Sequence, residues 1–509
     1  MSNDRALPLL EDGSTLSALR VDGLRALRMK KPVELRRLML LVGRNGIGKS
    51  TFARVFPLLR QSAQDKKREP LLWWEQDEVD FGSFSEAVRR GADRITLSFE
   101  FTGKDETKST VSTVLIASDN VSRIEQVQFL EAENRLTLHY GPNGRPVRLE
   151  GSAEGFDFVV GEEPAPPWLL PSFDVDKNTL FGFPPRFRTS FFTKLAQSSL
   201  DGSSPDIDNH VLEEATLILR RYLRRRRIEQ LIQILKRKTP TAASRLGGAD
   251  QRIPTLLRQA TEEPSFKQRL RLVTFCEDTL NDLSIAEDLI DQVAIRTAYI
   301  GPFRAVPERT YRPQGVAIEE LDPGGANLTM FLSALTFEER DDLDAYLRES
   351  LGFAIKLEQV GGHYALQVVL DDTSYNLLDV GFGYSQMLPV AVQLWASSRV
   401  LSTSREKISH STIVIEQPEL HLHPHQQVLM ARALGKLAAA DEGPVQIIET
   451  HSDHLVGEIG MMVAHGQLPR ERVGVLYFEP HPESGTSVRM ATFDDDGVLQ
   501  NWPAGFLSP

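Results

Sequence analysis

The sequence predicts an α/β protein whose main fold is divided by a long insertion. An apolar run at 38–42 comes directly before a glycine-rich turn, and a helical segment at about 49–59 follows it. A second apolar run, 412–415, and a third, 446–448, each end in polar or charged residues. Apolar strands that alternate with helical segments are typical of a parallel sheet. Because residues 49–411 separate the first strand from the second, we expect a large insertion between the two halves of the fold.

The composition excludes several classes of protein. Of the 509 residues, 41% are hydrophobic and 25% are charged, which is ordinary globular usage and excludes wholesale disorder. No run of about 18 apolar residues occurs, so we expect no membrane-spanning helix. The single cysteine, Cys276, excludes an intramolecular disulfide framework and fits a reducing compartment. The first residues lack the apolar segment of a secretion signal, and we therefore expect a soluble, cytoplasmic protein.

Basic residues are concentrated in one segment of an acidic chain. The formal net charge is −12, which excludes a uniformly basic nucleic-acid coat. Segment 217–238 nevertheless carries nine basic residues and a single acidic one. The basic residues are Arg220, Arg221, Arg224–Arg227 and Lys236–Lys238. The segment fits a solvated helix face, a docking surface for nucleic acid or a docking surface for an acidic protein, and the sequence leaves these three interpretations open.

Four regions are predicted along the chain. Residues 1–100 and 295–509 form the two halves of the α/β head. Residues 101–190 form a β-rich and irregular insertion, because alternating apolar residues at 95–101 and beyond precede a proline-rich stretch. Residues 191–294 form a helical hairpin or short coiled coil, since apolar residues recur at helical spacing on both sides of a loop that contains Thr-Pro and Gly-Gly.

The glycine-rich turn predicts a phosphate-binding loop. Gly43–Ser50 matches the pattern G-x-x-x-x-G-K-[ST] and has the required context, with an apolar strand before it and a helix after it. Glycines let backbone N–H groups turn towards a phosphate, and the start of the helix adds partial positive charge. Lys49 would supply a point charge to the β- and γ-phosphates, and Ser50 a hydroxyl to Mg²⁺. The expected nucleotide contacts are Arg44, Asn45, Gly46, Ile47, Gly48, Lys49, Ser50 and Thr51.

Polar residues near the later strands predict the rest of the site. Glu416 ends the second apolar strand, and a carboxylate at the tip of a buried strand is where a P-loop NTPase holds its Mg²⁺. We therefore expect Ser50 and Glu416 to hold the metal. His451, which follows the third strand, is a candidate donor to the γ-phosphate. The turn at 381–386 opens an apolar helix and predicts a second phosphate-recognising edge.

In this order the motifs resemble the heads of ATP-binding-cassette (ABC) type ATPases, in particular the branch that contains RecF, SMC and OLD-type proteins. The runs IEQPELHLHP (415–424) and ETHSDHLV (449–456) are more specific than the phosphate-binding loop. Three further stretches are similar to bacterial OLD-like AAA ATPases that are encoded in anti-phage systems, among them the PARIS type: 79–84, 299–304 and 502–506. The resemblance extends over residues 20–100 and 295–509.

The resemblance implies an ATP-dependent assembly. In such heads two protomers sandwich two ATP molecules, and the serine turn of one protomer, here Gly383 and Ser385, faces the phosphate-binding loop of the other. A homodimer or a higher homo-oligomer is therefore implied. The resemblance also assigns Glu416 to the acid that supports Mg²⁺, whereas Gln417 stands where many relatives have the glutamate that activates water.

Gln417 is a departure that bears on turnover. A glutamine amide can orient a water molecule but is a poor proton acceptor. Either Glu419 supplies the base, or hydrolysis is slow and ATP mainly holds a closed assembly. We favour slow turnover, because a sensor that waits for a trigger benefits from a long-lived ATP state. The candidate catalytic residues are Glu416, Gln417, Glu419 and His451.

Two further clusters contain residue types that bind metals. His421, His423 and His425 form H-x-H-x-H, which fits either a zinc site or a structural turn. The same His-Leu-His-Pro run occurs in the resembled ATPases, which favours the turn. Asp494–Asp496 fits either a carboxylate cluster for a divalent cation or an acidic surface turn, and we favour the turn here as well.

The resemblance implies an ATPase that acts as a sensor or scaffold in anti-phage defence, with ATP and Mg²⁺ as cofactors. OLD-type nucleases carry a C-terminal Toprim domain, for which the residues after His451 leave no room. We therefore expect the effector, a nuclease or toxin, to be a separate protein, with DNA or a phage protein as a further partner. Two other functions stay open: a RecF- or SMC-like ATPase of DNA repair or maintenance that uses the arginine-rich segment on DNA, and a scaffold that binds ATP without turnover.

Overall fold

A computed structural model describes most of the predicted head and part of the insertion. The described ranges are 14–64, 69–75, 78–103, 106–118, 121–142, 146–153, 156–160, 264–313, 320–399, 411–481 and 485–502, with the separate residues 234, 254–255, 257–258 and 318. The basic segment 217–238 lies outside them apart from residue 234. The proline-rich stretch, nearly all of the first predicted helix of the hairpin, and the chain after Trp502 also lie outside the described residues.

Strands and helices alternate along the described chain. The strands are β1 (Thr15–Asp22), β2 (Val33–Glu34), β3 (Leu38–Gly43), β4 (Arg94–Thr102), β5 (Lys108–Ser118), β6 (Val121–Glu131), β7 (Asn134–Tyr140), β8 (Pro146–Ala153), β9 (Phe156–Val160), β10 (Thr297–Ile300), β11 (Ala354–Val360), β12 (His363–Leu370), β13 (Thr373–Asn376), β14 (Thr412–Glu416), β15 (Val445–Glu449), β16 (Val473–Pro480), β17 (Thr486–Phe493) and β18 (Leu499–Gln500). The helices are α1 (Lys49–Ala53), α2 (Val55–Gln64), α3 (Phe84–Ala87), α4 (Pro264–Ile295), α5 (Leu328–Ala334), α6 (Phe337–Leu351), α7 (Phe382–Ser397), α8 (Pro424–Ala439) and α9 (Asp453–Ala464).

The first sheet is antiparallel throughout, in the order β2-β1-β4-β5-β6-β7-β8-β9. In β4, Ile95, Leu97, Phe99 and Phe101 are fully buried, which is the period of two that predicts this strand. The sheet extends beyond the β-rich insertion predicted for residues 101–190, because β1 and β2 join the same ladder as the strands up to β9. It therefore links the first 100 residues and the insertion in one continuous sheet.

The second sheet forms the centre of the head, in the order β10-β14-β15-β3-β16-β17-β18. The first five strands in this order are parallel, and β17 and β18 are antiparallel. In β3, Leu38 and Leu40 pack into one apolar core, and Met39 and Leu41 pack into the other. A strand that is buried on both faces has a continuous apolar sequence, as β3 does. The predicted α/β class is confirmed.

Helices and the antiparallel sheet cover the two faces of the parallel sheet. One core holds side chains from α1, α2, α4 and the antiparallel sheet, and the other holds side chains from α5 to α9. Helix α7, which begins in the turn at 381–386, is almost entirely buried, including Trp395. The third sheet, in the order β11-β12-β13, contacts α6 through β11. In the ranges given above, no helix combines the length and apolar content that crossing a membrane requires.

The helix after the phosphate-binding loop is interrupted. Helix α1 ends at Ala53 and α2 begins at Val55, so the segment predicted as one helix breaks at Arg54. Pro57 explains the break, because its nitrogen has no hydrogen to donate to the carbonyl of Ala53 and its ring crowds that carbonyl. The Arg54 side chain then reaches the carboxylate of Glu416 at the end of β14.

Candidate nucleotide-binding site

Three neighbouring parallel strands end at the same edge of the central sheet. The order β14-β15-β3 places the ends of the two acidic strands beside the strand that leads into the phosphate-binding loop. Glu416, the last residue of β14, is the register partner of Glu449, the last residue of β15. Glu449 in turn is the register partner of Leu41 in β3. The sheet therefore brings two carboxylates and the glycine-rich turn together from sequence positions that are hundreds of residues apart.

The phosphate-binding loop requires glycine at its two ends. Gly43 has a φ of 147°, and a Cβ there would lie 2.8 Å from the carbonyl oxygen of Phe478. Gly48 has a φ of 109° and precedes α1. Both values lie in the range that side-chain-bearing residues rarely adopt. A larger residue at Gly43 would clash with Phe478, and a side chain at either position would strain the backbone of the loop.

Lys49 is buried inside this loop. Its side chain donates hydrogen bonds from Nζ to the carbonyl oxygens of Gly43, at 3.1 Å, and Arg44, at 3.0 Å. The same nitrogen lies 3.6 Å from Oε1 of Glu449. Burial lowers the pKa of Lys49, and the negative charge of Glu449 opposes this shift. The ammonium group therefore sits in a site that a further negative charge would stabilise.

Glu449 is equally buried, with 4% of its surface exposed. Burial raises the pKa of its carboxyl group, the charge of Glu416 adds to the rise, and a hydrogen bond with the Ser50 side chain opposes it. Its Oε2 atom is buried and has no hydrogen-bond partner. The sequence identifies Glu449 only as part of a polar strand end and assigns it no role.

Glu416 is held by two side chains from other elements. Arg54 donates from Nε to Oε1 at 2.6 Å and from Nη2 to Oε2 at 2.8 Å, and the hydroxyl of Tyr299 donates to Oε1 at 2.8 Å. Burial, together with the charge of Glu416, raises the pKa of Tyr299, so this phenol stays a proton donor. The predicted metal-supporting acid is thus held by three hydrogen bonds within the protein.

Gln417 lies on the wall of the cleft in a strained backbone conformation. Its φ is 49°, in the left-handed region that costs a residue with a side chain about 1–3 kcal/mol. Its N–H donates to the carbonyl of Glu449 at 2.8 Å. Arg304 donates to the carbonyls of Gln417, at 2.9 Å, and Glu416, at 2.8 Å. Burial lowers the pKa of Arg304 to about 10, so its guanidinium is still charged at neutral pH.

Replacing Arg304 is expected to destabilise the protein and release the turn at Gln417. Arg304→Met leaves the carbonyl oxygens of Pro302, Glu416 and Gln417 without their charged donor and should lower the free energy of unfolding by about 2–3 kcal/mol in urea denaturation. The matched control is Arg309→Met, because Arg309 forms an exposed ion pair with Asp379. The control should unfold like the wild type, since exposed ion pairs contribute little. Equal stability of the two variants would contradict the role given to Arg304.

Glu419 and His451 belong to a second hydrogen-bonded turn. Glu419 accepts hydrogen bonds from the hydroxyl of Thr450, at 2.9 Å, and from the backbone N–H of His451, at 2.7 Å. Burial raises the pKa of Glu419. Partial burial and the charge of Lys49 lower the pKa of His451, so its ring is a neutral hydrogen-bond donor at physiological pH. Both oxygens of Glu419 therefore hold the loop that carries His451, and Glu419 is not among the described residues that line the cleft.

The serine turn lies at the start of α7. The hydroxyl of Ser385 donates to the carbonyl of Phe382 at 2.7 Å, and the ring of Phe382 contacts that of His421 edge-on, with centres 5.0 Å apart. A Cβ on Gly383 would lie 3.2 Å from the carbonyl oxygen of His421. Among the described residues, those that line the phosphate-binding cleft include neither Gly383 nor Ser385.

The histidine and aspartate clusters both have structural partners. His423 caps α8, where its Nδ1 accepts from the N–H of His425 at 3.3 Å. Asp494 accepts hydrogen bonds from the N–H groups of Asp496 and Val498 and so closes a surface turn. Within the described part of the chain, no group of three histidine, cysteine or acidic side chains is arranged to hold a metal. The hydrogen bonds at His423 and Asp494 are those of a helix cap and a surface turn.

The cleft around the loop has a volume of about 810 Å³. The residues that line it are Arg25, Ala26, Asn45, Gly46, Gly48, Lys49, Ser50, Thr51, Glu86, Val88, Arg89, Arg90, Gln417, Glu449 and Gly485. It brings together Lys49, Ser50 and Gln417, as expected, whereas Arg44, Ile47, Glu416 and His451 lie outside this lining.

Three arginines of the cleft wall were not identified from the sequence. Arg25, Arg89 and Arg90 come from the turns around the antiparallel sheet and α3, and no motif distinguishes them. Arg25 donates to the carbonyl of Phe81 at 3.1 Å, and its guanidinium lies 5.6 Å from the centre of the Phe81 ring. The sequence feature that lies next to this wall is the stretch at 79–84, which contains Phe81.

Residues 314–456 match the AAA ATPase domain family (AAA_15). This stretch contains the serine turn and the acidic ends of β14 and β15, but it does not contain the phosphate-binding loop. The family match therefore identifies one half of the site, and the phosphate-binding loop independently identifies the other half.

Distant similarity to solved structures extends over most of the chain. The SMC head domain from Thermotoga maritima aligns at 9% identity with a TM-score of 0.35, over 93% of this chain and 98% of that chain. The recombination mediator protein RecF of the RecFOR pathway aligns in its ATPrS form at 10% identity with a TM-score of 0.31, over 94% of this chain and 98% of that chain. The ATP form of RecF aligns at 12% identity with a TM-score of 0.26, over 86% of this chain and 93% of that chain. No curated protein gives a match. Scores at this level carry no conclusion about function.

Proposed function

We propose that the protein binds ATP with Mg²⁺ in the cleft and hydrolyses it slowly. The observation that carries this proposal is the position of Lys49, whose buried ammonium group lies inside a glycine-framed loop and opens onto a cleft shared with Gln417. Positive charge inside a turn of backbone N–H groups is the chemistry that binds a triphosphate. The match of residues 314–456 to an ATPase domain supports the same activity.

The residues present fit a nucleotide and its metal. The glycines of the loop leave the cradle open, and the cleft wall opposite adds three arginines that favour an anionic ligand. The hydroxyl of Ser50 and the unpartnered oxygen of Glu449 are hard oxygen ligands of the type that Mg²⁺ prefers. When bound, Mg²⁺ would neutralise charge that develops on the phosphate oxygens.

Gln417 accounts for the slow turnover that we propose. Its backbone is fixed by Arg304 and by the carbonyl of Glu449, so its side chain is held at the cleft wall. An amide there can orient water but cannot take its proton. Glu419 is engaged in the neighbouring turn, and a neutral His451 would act as a donor to the γ-phosphate.

We also propose that two or more copies assemble around ATP. Gly383 and Ser385 begin a helix whose first turn packs against the turn of His421, and neither residue lines the cleft around the phosphate-binding loop of the same chain. In the resembled heads this turn completes the nucleotide site of the partner protomer. A nucleotide-held homodimer or higher oligomer follows from that role.

Ser385→Ala is expected to weaken ATP-dependent assembly while leaving ATP binding to the chain's own loop intact. Ser385 is 4% exposed, so the small substitution keeps the packing of α7 and removes only the hydroxyl that would meet a partner's triphosphate. Mass photometry with and without ATP–Mg²⁺ measures assembly, and a fluorescent ATP analogue measures binding and shows that the variant is folded. Ser398→Ala, at an exposed position at the other end of α7, is the matched control and should assemble normally.

An ATP-held wild-type assembly that persists unchanged in Ser385→Ala would contradict the serine turn's role. A wild-type protein that binds ATP but stays monomeric would contradict the sandwich itself and leave ATP binding in place.

The biological role that we propose is a sensor or scaffold that holds a separate nuclease or toxin in anti-phage defence, as the ATPase subunit AriA does in the resembled PARIS type. The motifs at 79–84 and 299–304 support this proposal. Co-purification of a neighbouring gene product that resists nuclease treatment would support it. Salt-sensitive DNA binding that is lost on neutralising Arg224–Arg227 would instead favour the DNA-maintenance alternative.

A further inference from the structure

Two buried carboxylates lie side by side where the acidic strands end. Glu416 and Glu449 are register partners, with exposed fractions of 2% and 4%. Two unpaired negative charges at this depth would repel each other strongly, so each needs a cationic partner. The two residues meet that need in different ways, and the difference separates their roles.

Glu416 is already neutralised by the protein. Arg54 donates to both of its oxygens, at 2.6 and 2.8 Å, and Tyr299 adds a third hydrogen bond. A bidentate arginine–carboxylate pair is among the strongest polar contacts in proteins. A metal ion at Glu416 would have to compete with Arg54 and Tyr299 for the charge of this carboxylate.

Glu449 has an oxygen to spare. Its Oε1 lies 3.6 Å from the ammonium of Lys49, while its Oε2 is buried without a partner. The side chain of Ser50, the loop residue whose hydroxyl the motif offers to Mg²⁺, lies close enough to this carboxylate to lower its pKa. It also lines the cleft, which Glu416 does not.

We propose that Glu449, and not Glu416, is the acidic residue that faces the Mg²⁺ of a bound nucleotide. Glu416 is then a positioning residue that fixes Arg54 and Tyr299 beneath the site. Lys49 and Glu449 face each other with opposite charges. A bound phosphate group would offer Lys49 a second negative partner, and the metal ion would offer Glu449 a second positive one. This inference rests on the proposed binding of ATP.

Metal-dependent binding of nucleotide to the full-length chain tests the inference. The affinity for a fluorescent ATP analogue is measured in EDTA and across a Mg²⁺ titration for the wild type, Glu449→Gln and Glu416→Gln. Bound Mn²⁺, measured by electron paramagnetic resonance with ATP present, provides a readout that does not depend on hydrolysis. Thermal unfolding shows that each variant is folded.

Glu449→Gln should keep its affinity in EDTA and lose about tenfold or more of the affinity for Mg²⁺ and Mn²⁺. Glu449→Asp, which keeps the carboxylate, should retain part of the metal response. Glu416→Gln should keep the metal response and unfold at a lower temperature, since it weakens the contacts with Arg54 and Tyr299.

Each contrary outcome identifies what has failed. A normal metal response in Glu449→Gln overturns the metal role of Glu449. If that variant then differs from the wild type only in its affinity in EDTA, the role of Glu449 is restricted to the contact with Lys49. Loss of the metal response in Glu416→Gln overturns the positioning role of Glu416. A wild-type chain that binds no nucleotide in either buffer overturns the proposed function together with this inference.

Discussion

Lys49→Ala is expected to lower the affinity for ATP by at least about 30-fold. Removing one member of a buried charge pair typically costs about 2–5 kcal/mol of binding free energy, and about 1.4 kcal/mol corresponds to a factor of ten. Lys49 is 3% exposed, and its Nζ is surrounded by the carbonyls of Gly43 and Arg44. A triphosphate in the loop would gain a desolvated positive charge that water cannot screen.

Isothermal titration calorimetry with ATP–Mg²⁺ measures this loss. The matched control is Lys436→Ala, because Lys436 lies on the exposed face of α8 and pairs with Glu349 there. The control should bind ATP like the wild type. Wild-type affinity in Lys49→Ala would show that the loop is not the phosphate site, and the proposed function would fall with it.

Gln417→Glu is expected to accelerate ATP hydrolysis by about 100-fold or more, which is the usual contribution of a positioned general base. The substitution keeps the length of the side chain, and the contacts that hold residue 417 are made by its backbone. The new carboxylate would lie at the cleft wall near the charge of Glu449. A neighbouring like charge raises the pKa of a carboxyl group, which makes it a stronger base near neutral pH.

Single-turnover conversion of ATP to ADP, measured by chemical quench, is the appropriate measurement, because it excludes slow product release as the limiting step. Gln417→Leu is the control, since it fills the same space without a polar group and should hydrolyse no faster than the wild type. An unchanged rate in Gln417→Glu, with ATP binding intact, would contradict the assignment of residue 417 to water activation.

Local patterns were sufficient to predict the framework of the site. The phosphate-binding loop depends on glycines that are contiguous in sequence with Lys49 and Ser50, and its strand and helix flank it directly. The run that ends in Glu416 and Gln417 is recognisable for the same reason, because an apolar strand with a polar tip is a local feature. The structure places Lys49, Ser50 and Gln417 on one cleft.

Pairings between distant segments were not predictable in the same way. The strand that ends in Glu449 was recognised, but its place between β14 and β3 was not, and that order is what sets Glu449 beside Lys49. The cleft wall formed by Arg25, Arg89 and Arg90 has the same origin, since these residues reach the loop only through the packing of the antiparallel sheet on the parallel one.

The sequence by itself determined the α/β class, the phosphate-binding loop and the acidic strand ends, because each depends on residues that are neighbours along the chain. The tertiary structure determined which protein groups neutralise the carboxylates of Glu416 and Glu449. Arg54 and Glu416 are 362 residues apart, and their hydrogen bonds exist only because the broken helix and the ends of the parallel strands converge. Charge compensation in a buried site depends on which groups come within a few ångströms, and only the folded chain sets those distances.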